Sequence, residues 1–245
     1  TIVYLRPGSR TPEVAPFSGQ YPDGDLAFTP DGKHALFVSS RPVDGVARTD
    51  TDVWMVDLAG TRWSAPRHVG ELSSPADEWF PTFASDGTLY FGSCRDGGQG
   101  GCDIYRSRLR DDGHFDPPVN VGAPVNTPGN EIEPLIAPDG RYLVVSASGR
   151  PDSLGSYDLY LYRPEGAGWG APHHLAEPLN SRGWDFGARL SPDGRWLFFT
   201  SNRGFGSEPL PAPLTFDQLQ RRLHAPGNGL RDIYVVDARV LDGVR

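Results

Sequence analysis

The chain repeats one turn. Pro-Asp-Gly or Ser-Asp-Gly, followed by an apolar run, occurs four times, as FTPDGKHALFVSS, FASDGTLYFGS, IAPDGRYLVVS and LSPDGRWLFFT. The turn aspartates are Asp31, Asp86, Asp139 and Asp193, at intervals of 55, 53 and 54 residues. A fixed period of that size marks a repeat architecture, in which one supersecondary unit recurs along the chain. Each copy carries a second signal, an acidic residue leading an aromatic and apolar run: TDVWMVDL, CDIYRSRL, YDLYLYRP and RDIYVVDA. Three copies carry a third: WSAPRHVG, FDPPVNVG and WGAPHHLA.

The runs after the turn are apolar on both faces, as a strand between two neighbouring sheets must be. Proline in the third signal suits an outer edge strand. With an inner strand ahead of the turn, each unit has four antiparallel strands, the plan of a propeller blade. The expected fold is all-β: one closed β-propeller domain over 1–245, with four blades at about 21–75, 76–128, 129–182 and 183–240. A fifth blade would need an inner strand that the sequence does not show. Residues 1–20 parallel the end of a blade, since TIVYLRPGSRTPEVAP matches DLYLYRPEGAGWGAP. They are expected to close the ring by lending a strand to the last blade, which lacks a fourth strand after DIYVVDA.

The turn SPDG and the runs LFFTSNRG and DIYVVD resemble the WD40-like repeats of the TolB-type propellers. GGCDIY and PVNTPGNEIEP are similar to the version found in bacterial envelope proteins, often beside peptidoglycan-binding domains. The resemblance spans about residues 12 to 238. It implies the fold and an exported, periplasmic or secreted bacterial protein, and leaves function open, because propellers host many activities.

A net charge of −8 and the lack of a basic stripe argue against nucleic acid. No apolar run approaches the ~20 residues of a membrane span. A leader removed from the chain, and a monomer, are expected. Cys94 and Cys102 flank RDGGQGG; they are either a cross-hairpin disulfide, suited to an oxidising compartment, or two partly buried thiols.

Seven residues before the Pro or Ser of each turn stand Asp23, Glu78, Glu131 and Asp185. Equivalent places in four blades bring these acids around one axis, where they repel unless something positive intervenes. One answer is a cation with oxygen ligands, Ca²⁺ being the natural candidate and these four its ligands. The other lies in the repeat: Arg41, Arg95, Arg150 and Arg203 end each second strand. Each can reach its blade's ring acid, or the aspartate that opens the third strand (Asp52, Asp103, Asp158, Asp232), as a charge-assisted pair. A feature present in all four copies more often serves the repeat than a ligand, so the pairing is the expectation. Asp25 and Glu133 lack acidic counterparts in the other blades, where Phe80 and Gly187 stand, and are the expected free carboxylates. Trp79 and Trp184 neighbour the ring and either stack on a ligand or pack the blades.

The largest departure from the period is an insertion at 204–230. Thr215 and Gln218 have capping-box spacing, Leu214 and Leu219 form a hydrophobic staple, and a short helix is expected near 216–223. The insertion leaves the ring-acid face, so His224 joins the candidate channel-face ligand set. There is no G-x-S-x-G elbow, HExxH, CxxC pair or phosphate-cradling loop. The function these features favour is a module binding a protein or glycan partner through the channel face. The alternative is a metal-assisted hydrolase or lyase using channel-mouth carboxylates on a carbohydrate or small ester.

Overall fold

A computed structural model describes residues 1–245 except 7, 61, 205–211 and 244–245. The chain begins with a hairpin of β1 (Val3–Tyr4) and β2 (Glu13–Val14). The first blade has β3 (Asp23–Phe28), β4 (His34–Ser39), β5 (Asp52–Ala59) and the short outer strands β6 (Arg62–Trp63) and β7 (Arg67–His68), both paired with β5. The second has β8 (Glu78–Phe83), β9 (Thr88–Ser93), β10 (Asp103–Arg108) and β11 (Val119–Asn120). The third has β12 (Asn130–Ile136), β13 (Leu143–Ser148) and β14 (Asp158–Tyr162), a small hairpin of β15 (Pro164–Glu165) and β16 (Gly168–Trp169), and the outer β17 (His173–His174). The fourth has β18 (Asp185–Leu190), β19 (Trp196–Ser201), the helix α1 (Phe216–Leu223) and β20 (Asp232–Asp237). All ladders are antiparallel, and the four blades stand in a propeller arrangement.

The repeated turn has a local cause. The Oδ1 of Asp31, Asp86, Asp139 and Asp193 accepts the backbone N–H two residues on. The glycine that follows each aspartate takes positive φ, between 67° and 85°, which a side chain resists. Between blades the two faces of each second and third strand pack into separate clusters. Leu36, Val53 and Met55 of the first blade meet Leu89, Phe91 and Tyr105 of the second. Tyr90 and Ile104 meet Leu143, Val145 and Tyr160. Val144, Leu159 and Leu161 meet Leu197, Phe199 and Ala238.

The N-terminal hairpin packs on the first blade: Ile2, Ala15 and Phe17 join Ala35, Phe37, Trp54 and Val56. Among the described residues no ladder joins β1 or β2 to β20. After β20 a 3₁₀ turn, Ala238–Leu241, buries Ala238 and Leu241 against the third and fourth blades.

Helix α1 has the expected capping box, with Thr215 and Gln218 each capping the other's backbone. None of its residues is buried. Part of the insertion, 205–211, lies outside the described residues. Cys94 and Cys102 are bonded across the β9–β10 loop. Titrating the unfolded, unreduced protein is expected to find no free thiol. Reduction is expected to cost about 2–3 kcal/mol of stability, the closed loop being short. Two free thiols, or no loss on reduction, would contradict this.

Candidate functional site on the propeller axis

The four ring acids lie inside the blades. Asp23, Glu78, Glu131 and Asp185 are each at most 6% exposed. Each pairs with the arginine of its own blade: Arg41 Nη2 to Asp23 Oδ1 at 2.7 Å, Arg95 Nη2 to Glu78 Oε1 at 3.2 Å, Arg150 Nη2 to Glu131 Oε1 at 3.2 Å, and Arg203 Nη2 to Asp185 Oδ1 at 2.7 Å. A hydroxyl four or five residues upstream also donates to each acid: Ser18, Ser74, Thr127 and Ser181. Each arginine donates in addition to a carbonyl of the segment ahead of its blade: Phe17, Leu72, Val125 and Leu179. Its guanidinium lies over aromatic rings of the second and third strands, such as Phe91 and Tyr105 for Arg95. The arginine thus clasps an inner strand to the preceding unit, which explains why acid and arginine recur together.

Burial and pairing compete at these acids. At Glu78 and Glu131, loss of water outweighs the hydroxyl and arginine bonds and raises the carboxyl above its ordinary value. At Asp23, burial also opposes ionisation, but Ser39, Arg41 and Ser18 together outweigh it and lower the carboxyl. The shared geometry carries more weight than this difference, because all four acids accept only from donors. The third-strand aspartates take other partners. Asp52 has Arg48 and His68, Asp158 has His174 and the Leu154 N–H, Asp103 accepts from Asn120, and Asp232 from the Gly227 N–H.

The axis is built one step further along each inner strand. Every inner strand breaks register there, between Gly24 and Ala27, Trp79 and Thr82, Ile132 and Leu135, and Phe186 and Arg189. Asp25, Phe80, Glu133 and Gly187 occupy these bulges with φ of 55°, 52°, 55° and 68°. Three non-glycine residues in the left-handed region carry strain of order 1 kcal/mol or more each, and bulges re-aim side chains. Here they direct Asp25, Phe80 and Glu133 toward one place, where Arg189 joins them from the fourth blade.

Arg189 places its guanidinium 4.8 Å from the Phe80 ring centre. Its Nη1 donates to Pro134 O and Ala188 O at 3.0 Å. Asp25 Oδ2 accepts the Phe80 N–H at 3.3 Å. Among the described residues, the buried Arg189 Nη2 and Glu133 Oε2 find no hydrogen-bond partner. Burial pushes the Glu133 carboxyl up to about 7, Arg189 opposing and Asp25 reinforcing the rise. Burial raises Asp25 as well, and lowers Arg189. The expected free carboxylates are therefore desolvated and share one buried cation. A carboxyl that titrates near neutrality is suited to holding or moving a proton.

Arg189 was not among the residues expected from the repeat. The other copies have Ala27, Thr82 and Leu135 there, and a lone charge in an otherwise uncharged column was the available signal. Trp79 is half-buried, with its indole N–H on Thr51 Oγ1, and ties the second blade to the first. Trp184 is 39% exposed, with its ring centre 6.0 Å from that of Tyr157 and Arg231 over it at 5.8 Å. Arg231 also lies 5.1 Å from the Phe186 ring. His224 is the exposed C-cap residue of α1. Among the described residues no three His, Cys, Asp or Glu side chains form a group able to hold a metal ion.

No protein-family model matches the chain, and no curated protein does. Among solved structures it is similar to TolB from Acinetobacter baumannii, with a TM-score of 0.52 and 16% identity over 96% of this chain and 45% of that one. It is also similar to a puromycin-hydrolyzing peptidase of Mycobacterium tuberculosis, with a TM-score of 0.48 and 16% identity over 82% of this chain and 32% of that one. A periplasmic gluconolactonase of Pseudomonas aeruginosa follows at a TM-score of 0.40 and 16% identity, over 73% and 65%. The TolB likeness shows a shared propeller fold. The chain spans under half the length of that TolB chain. No helix among the described residues is long and apolar enough to cross a membrane.

Proposed function

We propose that the chain is an exported bacterial binding or scaffold module that holds a protein or glycan partner on its channel face. The observation that carries this is the assignment of all four ring acids to arginine clasps, beside which Trp184, next to Asp185 in the chain, stays 39% exposed. Trp184 and Tyr157, set edge to face, with Arg231 over the Trp184 ring, offer an aromatic pair with a cation, a surface that suits a sugar ring or a peptide. The disulfide supports an oxidising compartment, and the TolB likeness in fold is compatible with export. The test is titration calorimetry with peptidoglycan fragments and with peptides. Trp184→Ala and Arg231→Ala are expected to weaken binding about tenfold or more without moving the melting temperature. Binding that is unchanged in both variants would defeat the proposal.

One observation favours the enzymatic alternative. Glu133 with a carboxyl near neutrality beside Arg189 has the make-up of a general acid or base for a hydrolase or lyase. Turnover of a carbohydrate or small ester, lost in Glu133→Gln, would establish it. A bound cation such as Ca²⁺ would have to displace the four arginines from the ring. Added calcium is therefore expected to move the melting temperature little. A gain of ~2.7 kcal/mol at ~100 times the dissociation constant, abolished by Glu131→Gln, would contradict the clasps.

A further inference from the structure

The second and third blades meet differently from the first and second. In the first two blades the aromatic residue ahead of the outer strand rests on the last residue of its own inner strand. The Trp63 ring centre is 5.9 Å from that of Phe28, and that of Phe115 is 6.4 Å from that of Phe83. In the third blade the corresponding residues are Trp169 and Ile136. Trp169, carried on the β15–β16 hairpin, instead sets its ring centre 6.1 Å from that of Tyr90 in the second blade, edge to face.

Tyr90 and Arg106, cross-strand partners in β9 and β10, also depart from the repeat. The pairs at their places in the other blades are apolar: Leu36 with Met55, Val144 with Leu161, and Phe198 with Val235. Met55 and Leu161 are fully buried, whereas Arg106 is exposed. Tyr90, Arg106 and Trp169 line one cleft of about 420 Å³, together with Asp86 and Asp139 of the repeated turns. It opens at the ends of β8 and β12 away from the ring acids Glu78 and Glu131. Asp86 and Asp139 each spend Oδ1 on their turn, and a second oxygen of each remains. The equivalent cleft between the first and second blades is lined by residues such as Lys33, Arg110 and Asp111, with no Trp or Tyr. Phe115 is buried there.

We propose that this cleft binds a pyranose unit of an uncharged glycan, at a site separate from the channel face. The C–H face of the sugar packs on the Tyr90 and Trp169 pair, rings with an apolar body at a wet surface. Arg106 offers only donors and the Asp86 carboxylate only acceptors. A sugar hydroxyl both donates and accepts, so neighbouring hydroxyls satisfy the two together with charge-assisted bonds. A cation would meet Arg106, and an anion would meet Asp86 and Asp139, so neither charge suits the cleft. Its volume lies at the small end of ligand clefts, ~300–1,000 Å³. Arg106 in the place of a buried apolar residue gives up apolar burial between blades, and a local rule broken in this way marks a functional position.

The test follows the tryptophan indole ¹H–¹⁵N signals as glucose, maltose, cellobiose and N,N′-diacetylchitobiose are added in turn. At least one disaccharide is expected to shift the Trp169 signal saturably, with a dissociation constant of about 1 mM or tighter. Arg106→Leu, which copies Leu161 of the third blade, should weaken that binding about tenfold or more without lowering the melting temperature. Arg110→Leu, on the equivalent cleft of the first two blades, should leave it unchanged. No saturable shift of Trp169 with any of these sugars would overturn the proposal, as would binding that survives Arg106→Leu. A shift at Trp184 alone would place the sugar on the channel face, which overturns this site and leaves the channel-face reading standing. A hexaproline peptide that moves the Trp169 signal where no sugar does would make the cleft a peptide groove, and the proposal would again fail.

Discussion

Replacing Glu131 by Gln is expected to lower the stability of the fold by about 3 kcal/mol or more. Glu131 is fully buried, and Thr127 N–H, Thr127 Oγ1–H and Arg150 Nη2–H all donate to it. A glutamine offers one acceptor oxygen and turns two N–H donors toward groups that also donate. The Arg150 side chain is 8% exposed, so the guanidinium is left in a dry place without its counterion. Tyr160 and Tyr162 beneath it hold it there, with Arg150 4.8 and 5.8 Å from their ring centres. The loss reaches beyond one blade, because Arg150 also donates to Val125 O of the preceding unit. Urea unfolding of wild type and variant measures it. A change within 0.5 kcal/mol, ordinary for a surface site, would mean that the pairs do not hold the blades together.

Arg189→Met is expected to cost about 3 kcal/mol at pH 8 and much less at pH 5. At pH 8 the variant leaves Asp25 and Glu133 to repel each other in a buried place. At pH 5 Glu133 has taken up its proton and one of the two charges is gone. The sign in the wild type follows the same logic. Glu133 titrates at about 7 in the fold and near its ordinary value when unfolded, so its contribution is fully present below pH ~4.5. It is lost as pH rises to about 7, for a total of about 3 kcal/mol. Asp25, raised by burial, acts in the same direction. Asp31, Asp86 and Asp193, lowered by their turn hydrogen bonds, act in the opposite direction as pH falls. The difference between wild type and Glu133→Gln removes these common contributions. That difference should fall from pH 4.5 to 7 and flatten above. A difference independent of pH would show that Glu133 is not held dry beside Asp25 and Arg189.

What could be read from the sequence was what recurs. The turn aspartates, the two-sided apolar runs and the arginine behind each ring acid appear four times, so one physical reason had to serve all copies. The helix cap was legible because Thr215 and Gln218 satisfy each other locally. Arg189 was not legible, because it occurs once and its meaning depends on residues 55 to 164 positions away. Nor does any propensity predict that Phe80 and Glu133 adopt positive φ; the bulge shows only in the register of each inner strand against its neighbour. The likeness of residues 1–16 to a blade end was visible, but which blade they touch depended on Ile2, Ala15 and Phe17 finding the face of Phe37 and Trp54.

Carboxyl ¹³C NMR of the wild-type protein, titrated from pH 4 to 9, tests the buried grouping of Asp25, Glu133 and Arg189 most directly. Glu133 is predicted to titrate with a midpoint of about 7, with Asp25 above and Asp23 below the ordinary aspartate value. A Glu133 midpoint near the ordinary ~4.3 would show the axis to be open to water and would contradict the buried site.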